Sequence, residues 1–255
     1  MKISTCVITF NEENNIEDCI KSVTAFSDEI LIVDSESTDK TVEIAEKFGV
    51  KVVTHKWEGH VKQKQFAVDL ATNNWIFSLD ADERASEEVI NKINQIKNNP
   101  EITDRYKAFY VNRRNYYLGK WIKYGGWYPE KRIRFFHKKY AKWGGIDPHD
   151  KVIARSNDIV GDLYADIIHF PYKNITHHLD TINRYASIAA EENIKKGKKV
   201  NFFKLIYKPF FKFIRDYFVK RGFLLGKTGF IHAVMGSISV FMKYLKTYEK
   251  QWKNK

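Results

Sequence analysis

Trp75-Ile76-Phe77-Ser78-Leu79-Asp80-Ala81-Asp82-Glu83 decides how the rest of the chain is read. The apolar run at its start is too short for a helix, is bounded by polar residues and reads as a buried strand. It stops at an acidic cluster. Two carboxylates one residue apart at the end of a buried strand are costly unless a cation or hydrogen-bond donors neutralise them. A divalent metal is a natural partner, and hard oxygen ligands suit Mg²⁺ or Mn²⁺, ions that keep coordination positions for substrate phosphates. An exposed acidic turn capping a helix that starts near Ser86 fits the same spacing equally well.

Upstream, the same grammar repeats. Ile3 to Phe10 is a β-branched run followed by the polar turn Asn11-Glu12-Glu13-Asn14, then Ile16, Cys19, Ile20 and Val23 at helical spacing. Glu29 to Val33 reads as a second strand, Asp34 to Asp39 as a polar loop, and Thr41 to Phe48 as a helix ending at Gly49. Val50 to Thr54 is a third strand, and a helix over 61–71 leads into the fourth. Strands alternating with helices at this spacing predict an α/β fold, with a mostly parallel, Rossmann-like sheet covered by helices on both faces. Ligands of such sheets lie beyond the carboxyl ends of the strands, where three acidic loops now stand. Downstream, 106–170 is less regular, with strands expected at 106–113 and 133–137, and Ile175 to Lys195 reads as helix.

Composition limits the function classes. The 255 residues carry 44% hydrophobic and 15% aromatic residues, which excludes a disordered or collagen-like chain. Cys6 and Cys19 are too few for a disulfide framework or a four-cysteine zinc site, which points to a reducing compartment. The N-terminal apolar run is too short for a secretory signal, so a cytoplasmic location is expected. The net charge of +12 is concentrated at one end: residues 195–255 hold 16 Lys+Arg against Asp216 and Glu249, leaving 1–194 slightly acidic. The expected division is therefore a catalytic domain at 1–194, with halves 1–105 and 106–194, and a basic amphipathic C-terminal helical extension at 195–255.

The motifs resemble a family. Asn11-Glu12-Glu13 after a strand, the DSxSxDxT pattern of 34–41, a helix bearing Gln63-Lys64-Gln65, and Leu79 to Glu83 look like the nucleotide-binding half of family 2 glycosyltransferases with the GT-A fold. The likeness continues through 125–136, Trp143 to Asp150, 167–172, 182–186 and 208–230, a pattern similar to bacterial lipopolysaccharide core glycosyltransferases that add β-linked glucose to inner-core heptose. The resemblance implies Thr9, Asn11, Glu12 and Asp34 around the nucleotide and Lys64 near the diphosphate. Asp80 would contact ribose or metal, and Asp82 would hold a Mg²⁺ or Mn²⁺ bridging the diphosphate, with His169 able to complete the shell. The catalytic base would be Asp150 of the His149-Asp150 pair, with Asp147 and Glu130 as nearby alternatives. Arg132 and Arg134 could hold the diphosphate or an acceptor phosphate, and His149 and Trp127 fall on the acceptor side. The implied activity is inverting transfer of a hexose, glucose from UDP-glucose foremost, to a lipid-linked acceptor; polyprenyl phosphate and capsule precursors are the alternative acceptors. Inversion needs one base and a cation for the departing diphosphate, unlike a retaining hydrolase with paired carboxylates about 5 Å apart.

In the tail, Lys204, Lys208, Lys212 and Arg215 fall at three- and four-residue spacing amid Phe, Leu, Ile and Tyr. Such a helix suits an anionic membrane interface, where each basic residue contributes about 1 kcal/mol. A nucleic-acid-binding protein is the competing reading of the charge, disfavoured because the lysines form a stripe beside a broad apolar face. The apolar stretch 228–242 has 15 residues, short of the roughly 20 needed to span a bilayer. A peripheral position on the inner face of the cytoplasmic membrane is expected.

Overall fold

The computed structural model describes residues 1–146 and 149–253, with the side chains of His149 and Lys253 outside that description. The chain divides into two compact units, Met1–Arg113 with Glu130–His169, and Arg114–Pro129 with Phe170–Lys255.

In the first unit, strand β1 (Ile3–Thr9) is buried at every position. Its side chains alternate between two cores, Ile3 and Val7 entering one and Cys6 and Ile8 the other. Helices α1 (Ile16–Val23), α2 (Thr41–Lys47) and α4 (Glu87–Lys97) close the first core with Ile20, Ala45 and Ile93 among others, while α3 (His60–Leu70) closes the second with Ala67 and Val68. Ser86 caps α4 by accepting from the Val89 amide, 3.3 Å away. A short helix α5 (Pro100–Arg105) then leads into the second half of the unit.

The main sheet contains β3 (Lys51–Thr54), β2 (Glu29–Asp34), β1, β4 (Trp75–Asp80), β8 (Lys131–His137), β6 (Ala108–Tyr117), β11 (Val160–His169) and β5 (Glu83–Ala85), in that order. The expected Rossmann-like half is there: β3, β2, β1 and β4 are parallel. The sheet as a whole is mixed, with antiparallel pairing of β4 with β8, β8 with β6, and β11 with β5. Among the described residues, 106–169 contains no α-helix to carry the chain back across a face, which parallel pairing requires. A hairpin of β9 (Ala141–Ile146) and β10 (His149–Ala154) lays Trp143 and Val152 into the core that α3 closes. Register aligns the strand ends: Thr9 lies beside Asp34, Asp34 beside Thr54, and Ile8 beside Asp80.

The second unit consists chiefly of α6 (Ile175–Lys195), α7 (Phe202–Ile214) and α8 (Lys227–Lys253), with the short strand β7 (Lys120–Trp121) pairing to the end of β6. Both α6 and α7 pack along α8. The boundary read from charge at 194/195 does not coincide with this division, because α6 is held to α8 by contacts such as Lys246 Nζ donating to Ser187 Oγ at 2.6 Å. Charge reports solvation, and packing reports the apolar faces. The start of α8 depends on Gly229, where a Cβ would lie 1.9 Å from the Gly222 carbonyl oxygen. Among the described residues, no helix is long and apolar enough to cross a membrane.

Candidate active site

The carboxyl ends of β1, β2 and β4 bring three loops to one edge, as the strand pattern predicts. Two of these loops are laced together. Asn11, held at φ +54°, donates its amide to Ser37 Oγ at 2.8 Å and accepts from the Thr38 amide at 2.8 Å. Asp34 is buried and takes the Ser37 amide at 2.9 Å on one oxygen and the Ser37 hydroxyl at 2.6 Å on the other. Glu12 donates its amide to Thr41 Oγ1 at 2.8 Å, and its carboxylate accepts from Asn15 at 2.6 Å. Thr9 Oγ1 is buried without a hydrogen-bond partner among the described residues.

The third loop is the one that meets buried cations. Lys64, buried on α3, reaches Asp80 at 2.8 Å and Asp150 at 2.8 Å, so one ammonium bridges the end of β4 and the β9–β10 hairpin. The Trp143 ring lies under this ammonium, 4.7 Å from ring centroid to Nζ. Arg134, also buried, donates to Asp80 at 3.2 Å and to Glu83 at 2.7 Å. Burial pushes the Asp80 carboxyl up, but Lys64 and Arg134 outweigh it and hold the group far below the usual carboxylate range. Asp150 is governed by the same contest: burial raises it, Lys64 outweighs burial, and the carboxyl stays below its ordinary value.

Asp82 differs from its neighbour. Its Oδ2 lies 3.3 Å from His169 Nε2, while Oδ1 is buried with no hydrogen-bond partner among the described residues. Antiparallel pairing of His169 with Glu83 is what brings the histidine beside this carboxylate. Among the described residues, no three His, Cys, Asp or Glu side chains converge as a metal cluster. The sequence expectation that Asp80 and Asp82 share a cation meets a different geometry: two protein cations already compensate Asp80, and the Asp82–His169 pair presents the open acceptor. A carboxylate oxygen fits Mg²⁺ or Mn²⁺, and an imidazole nitrogen beside it favours Mn²⁺, leaving the other positions to substrate oxygens and water.

The arginines correct the sequence reading. Arg134 does not stand ready for a phosphate but is committed to Asp80 and Glu83, a fully buried acid whose other oxygen accepts the Asp80 amide at 3.0 Å. Arg132 pairs with Glu130 at 2.5 Å, and Arg113 grips the same carboxylate at 2.8 Å. Burial raises Glu130, but the two guanidinium groups hold it below its ordinary value. Twice paired, Glu130 is poorly suited to be the base. Asp147 and the side chain of His149 lie outside the described residues. Trp127 belongs to the second unit, 4.2 Å from the His232 ring and 5.7 Å from that of Tyr117, between centroids. Sequence reasoning did not single out Glu83 as the anchor of Arg134 or Trp143 as the platform of Lys64; both stand inside quoted motifs, but only long-range pairing gives them partners.

The α/β sheet with helices on both faces, and the acidic edge at the ends of its parallel strands, matches the GT-A fold. The chain matches the family model described as Glycosyl transferase family 2 over residues 4–161 and belongs to that family; it is a glycosyltransferase. It is 34% identical to an uncharacterised glycosyltransferase of Rickettsia typhi, over all of this chain and 89% of that protein. It is 28% identical to the lipopolysaccharide core biosynthesis glycosyltransferase LpsC of Rhizobium meliloti, over 98% of this chain and 93% of LpsC. The fold is similar to that of the mannosyltransferase PcManGT from Pyrobaculum calidifontis, solved in complex with GDP-Man and Mn²⁺, with a TM-score of 0.54 at 12% identity over all of this chain and 88% of the other.

Proposed function

We propose that this glycosyltransferase moves a hexose, glucose from UDP-glucose foremost, with inversion onto a lipid-linked acceptor, heptose of a lipopolysaccharide inner core. The observation that carries the reading is the division of labour at the sheet edge: Asp80 neutralised by Lys64 and Arg134, Asp82 with an open buried oxygen beside His169, and Asp150 held by the same Lys64 ammonium as Asp80. The similarity to LpsC supports the acceptor class.

In this reading Thr9, Asn11, Glu12 and Asp34 form the nucleotide side. Asp34 and Asn11 act partly through the loop geometry they fix, and Thr9 Oγ1 offers an unused hydrogen-bonding group. Asp82 and His169 would hold Mg²⁺ or Mn²⁺, and when bound the ion neutralises charge on the departing diphosphate. Lys64 turns from the carboxylates toward that diphosphate. Losing this contact lifts Asp150 out of its depressed state and makes it a better proton acceptor. The acceptor hydroxyl then gives its proton to an Asp150 carboxylate oxygen as its own oxygen bonds to the sugar C1, and the pair of the breaking C1–O bond leaves with the diphosphate. The same reading sets the enzyme at an anionic membrane surface, where its acceptor resides.

A panel of nucleotide sugars, with truncated lipopolysaccharide as acceptor and nucleoside diphosphate release as readout, tests it. UDP-glucose should give the highest acceptor-dependent rate, and EDTA should abolish that rate until Mn²⁺ or Mg²⁺ is restored. EDTA-resistant turnover defeats the metal role, and acceptor-independent release with every donor defeats the acceptor class.

A further inference from the structure

The side of α7 that faces α8 is defined by burial: Leu205 and Pro209 are buried, and so, two turns on and just past the helix end, is Asp216. Lys212, at the matching helical position, pairs with Asp216. At 100° per residue the opposite side of the helix, a span of roughly 140°, is occupied by Ile206, Phe210, Phe203, Ile214, Tyr207 and Phe211. Most of this face is exposed to an extent unusual for aromatic residues: Phe203 is 72% exposed, Phe211 61% and Phe210 59%. Past the helix end, in a π-helical turn, Phe218 and Val219 are exposed as well, at 52% and 72%. A contiguous apolar surface of this kind marks an interaction site.

Charge says what covers it. Lys204, Lys208 and Arg215 all fall on one flank of the apolar span, and Lys220 and Arg221 follow at its end, so a strip of cations borders the aromatic face without entering it. A protein partner of ordinary composition gives no reason for a one-sided basic border beside bare phenylalanines. An anionic bilayer interface does, since headgroup phosphates meet the cations while the aromatic rings enter the acyl boundary.

We propose that the outward face of α7, led by Phe203, Phe210 and Phe211, inserts into the interfacial layer of an anionic bilayer, with Lys204, Lys208 and Arg215 as its headgroup border. The proposal rests on the lipid-linked acceptor of the proposed function for its purpose. It differs from a binding mode carried by a four-residue basic stripe: insertion of the aromatic face supplies the main attachment, Lys212 is an internal partner of Asp216, and Arg215, whose Nε also donates to Asp216 at 2.9 Å, is a border residue through the exposed half of its side chain.

Vesicles of equimolar phosphatidylglycerol and phosphatidylcholine, with the full chain, provide the test. Cys6 and Cys19 are buried, so a Phe210→Cys variant takes an environment-sensitive nitrobenzoxadiazole label at one place. On vesicle addition the label should brighten and be quenched by lipids spin-labelled near the top of the acyl chain, whereas a label at Glu46→Cys should do neither. The combined Phe203→Ser, Phe210→Ser and Phe211→Ser variant should lose roughly tenfold or more in vesicle affinity. Lys204→Gln, Lys208→Gln and Arg215→Gln together should abolish only the preference for anionic over zwitterionic vesicles. Unchanged affinity of the serine variant, or an unquenched Phe210→Cys label on bound protein, overturns the proposal. So does a lipid-free dimer that the serine variant dissolves, since the face then belongs to a second copy. Nucleoside diphosphate release from UDP-glucose with a soluble, lipid-free core oligosaccharide as acceptor should be equal in all variants; its absence from every one, wild type included, counts against the proposed function and leaves the vesicle result standing.

Discussion

Asp82 and Asp150 are both carboxylates at the sheet edge, and the proposed function gives them opposite work. Asp82 keeps a buried oxygen without a donor among the described residues, beside His169, an environment that suits the proposed ligand of a cation. Asp82→Ala should therefore abolish transfer and Mn²⁺-dependent UDP binding, measured by titration calorimetry, while thermal unfolding stays near wild type. Unaltered Mn²⁺-dependent binding would remove Asp82 from the metal site. Asp150 instead has its charge stabilised by Lys64. Asp150→Asn should spare UDP binding and lower the turnover number by roughly 10²-fold or more, whereas Glu130→Gln should not share that signature. The pH dependence has a definite sign. A carboxylate held below its ordinary value stays ionised until the pH falls through that lowered value, so the acid limb of kcat/KM should lie below the usual carboxylate range. Lys64→Met removes the partner, leaves burial unopposed by that ammonium, and should shift the limb of the residual activity to higher pH. A limb that does not move means that another group is the base.

At the scale of elements, packing at the head of α8 is a sharp local test. A Cβ on residue 229 would overlap the Gly222 carbonyl, a backbone atom that cannot step aside as a side-chain tip can. Gly229→Ala should destabilise the second unit by about 1–3 kcal/mol, read as a lower urea midpoint, with hydrogen exchange rising first around 222–232. Elements of this kind differed in how far the sequence exposed them. β1 to β4 and α1 to α3 were legible because each short apolar run or helical spacing is a local signal, and α6 at Ile175–Lys195 lies where periodicity put it. β5, β11 and the β9–β10 hairpin were not, since their stability comes from pairing with distant strands. Arg134 shows the same limit within the site: alternation along a strand says that it shares a face with Arg132, but not that Glu83, fifty-one residues away, waits there. Lys212 is the counterpart in the tail. Spacing placed it in one stripe with Lys204, Lys208 and Arg215, and only the buried Asp216 reveals that it turns inward.

For the molecule as a whole, acid should act unevenly on the two units. His178 in the second unit is buried, donating to or accepting from the Tyr117 hydroxyl at 2.9 Å and stacked 3.7 Å from the Tyr172 ring. Burial, with help from His232 and His177, depresses its pKa to about 4. His232 lies buried beside Trp127, and burial, with Asp216 opposing and Lys212 assisting, depresses it likewise to about 4. An unfolded histidine takes its proton near 6.5. Between about 6.5 and 4 the unfolded state of this unit therefore binds more protons than the folded state, and stability falls as the pH is lowered through that window. Among the described residues of the first unit the half-buried His137 acts in the same direction, while Asp80, Asp150 and Glu130, held low by their cationic partners, keep their ion pairs down through it. Lowering the pH from 7.5 to 5 should accordingly raise hydrogen exchange, corrected for its intrinsic pH dependence, more in α6 and α8 than in β1 to β4. His232→Gln, which cannot take the proton, should weaken that pH dependence even where it lowers stability at pH 7.5. Equal acid sensitivity of the two units, or an undiminished response in the His232→Gln chain, would show that these histidines do not remain neutral in the folded protein.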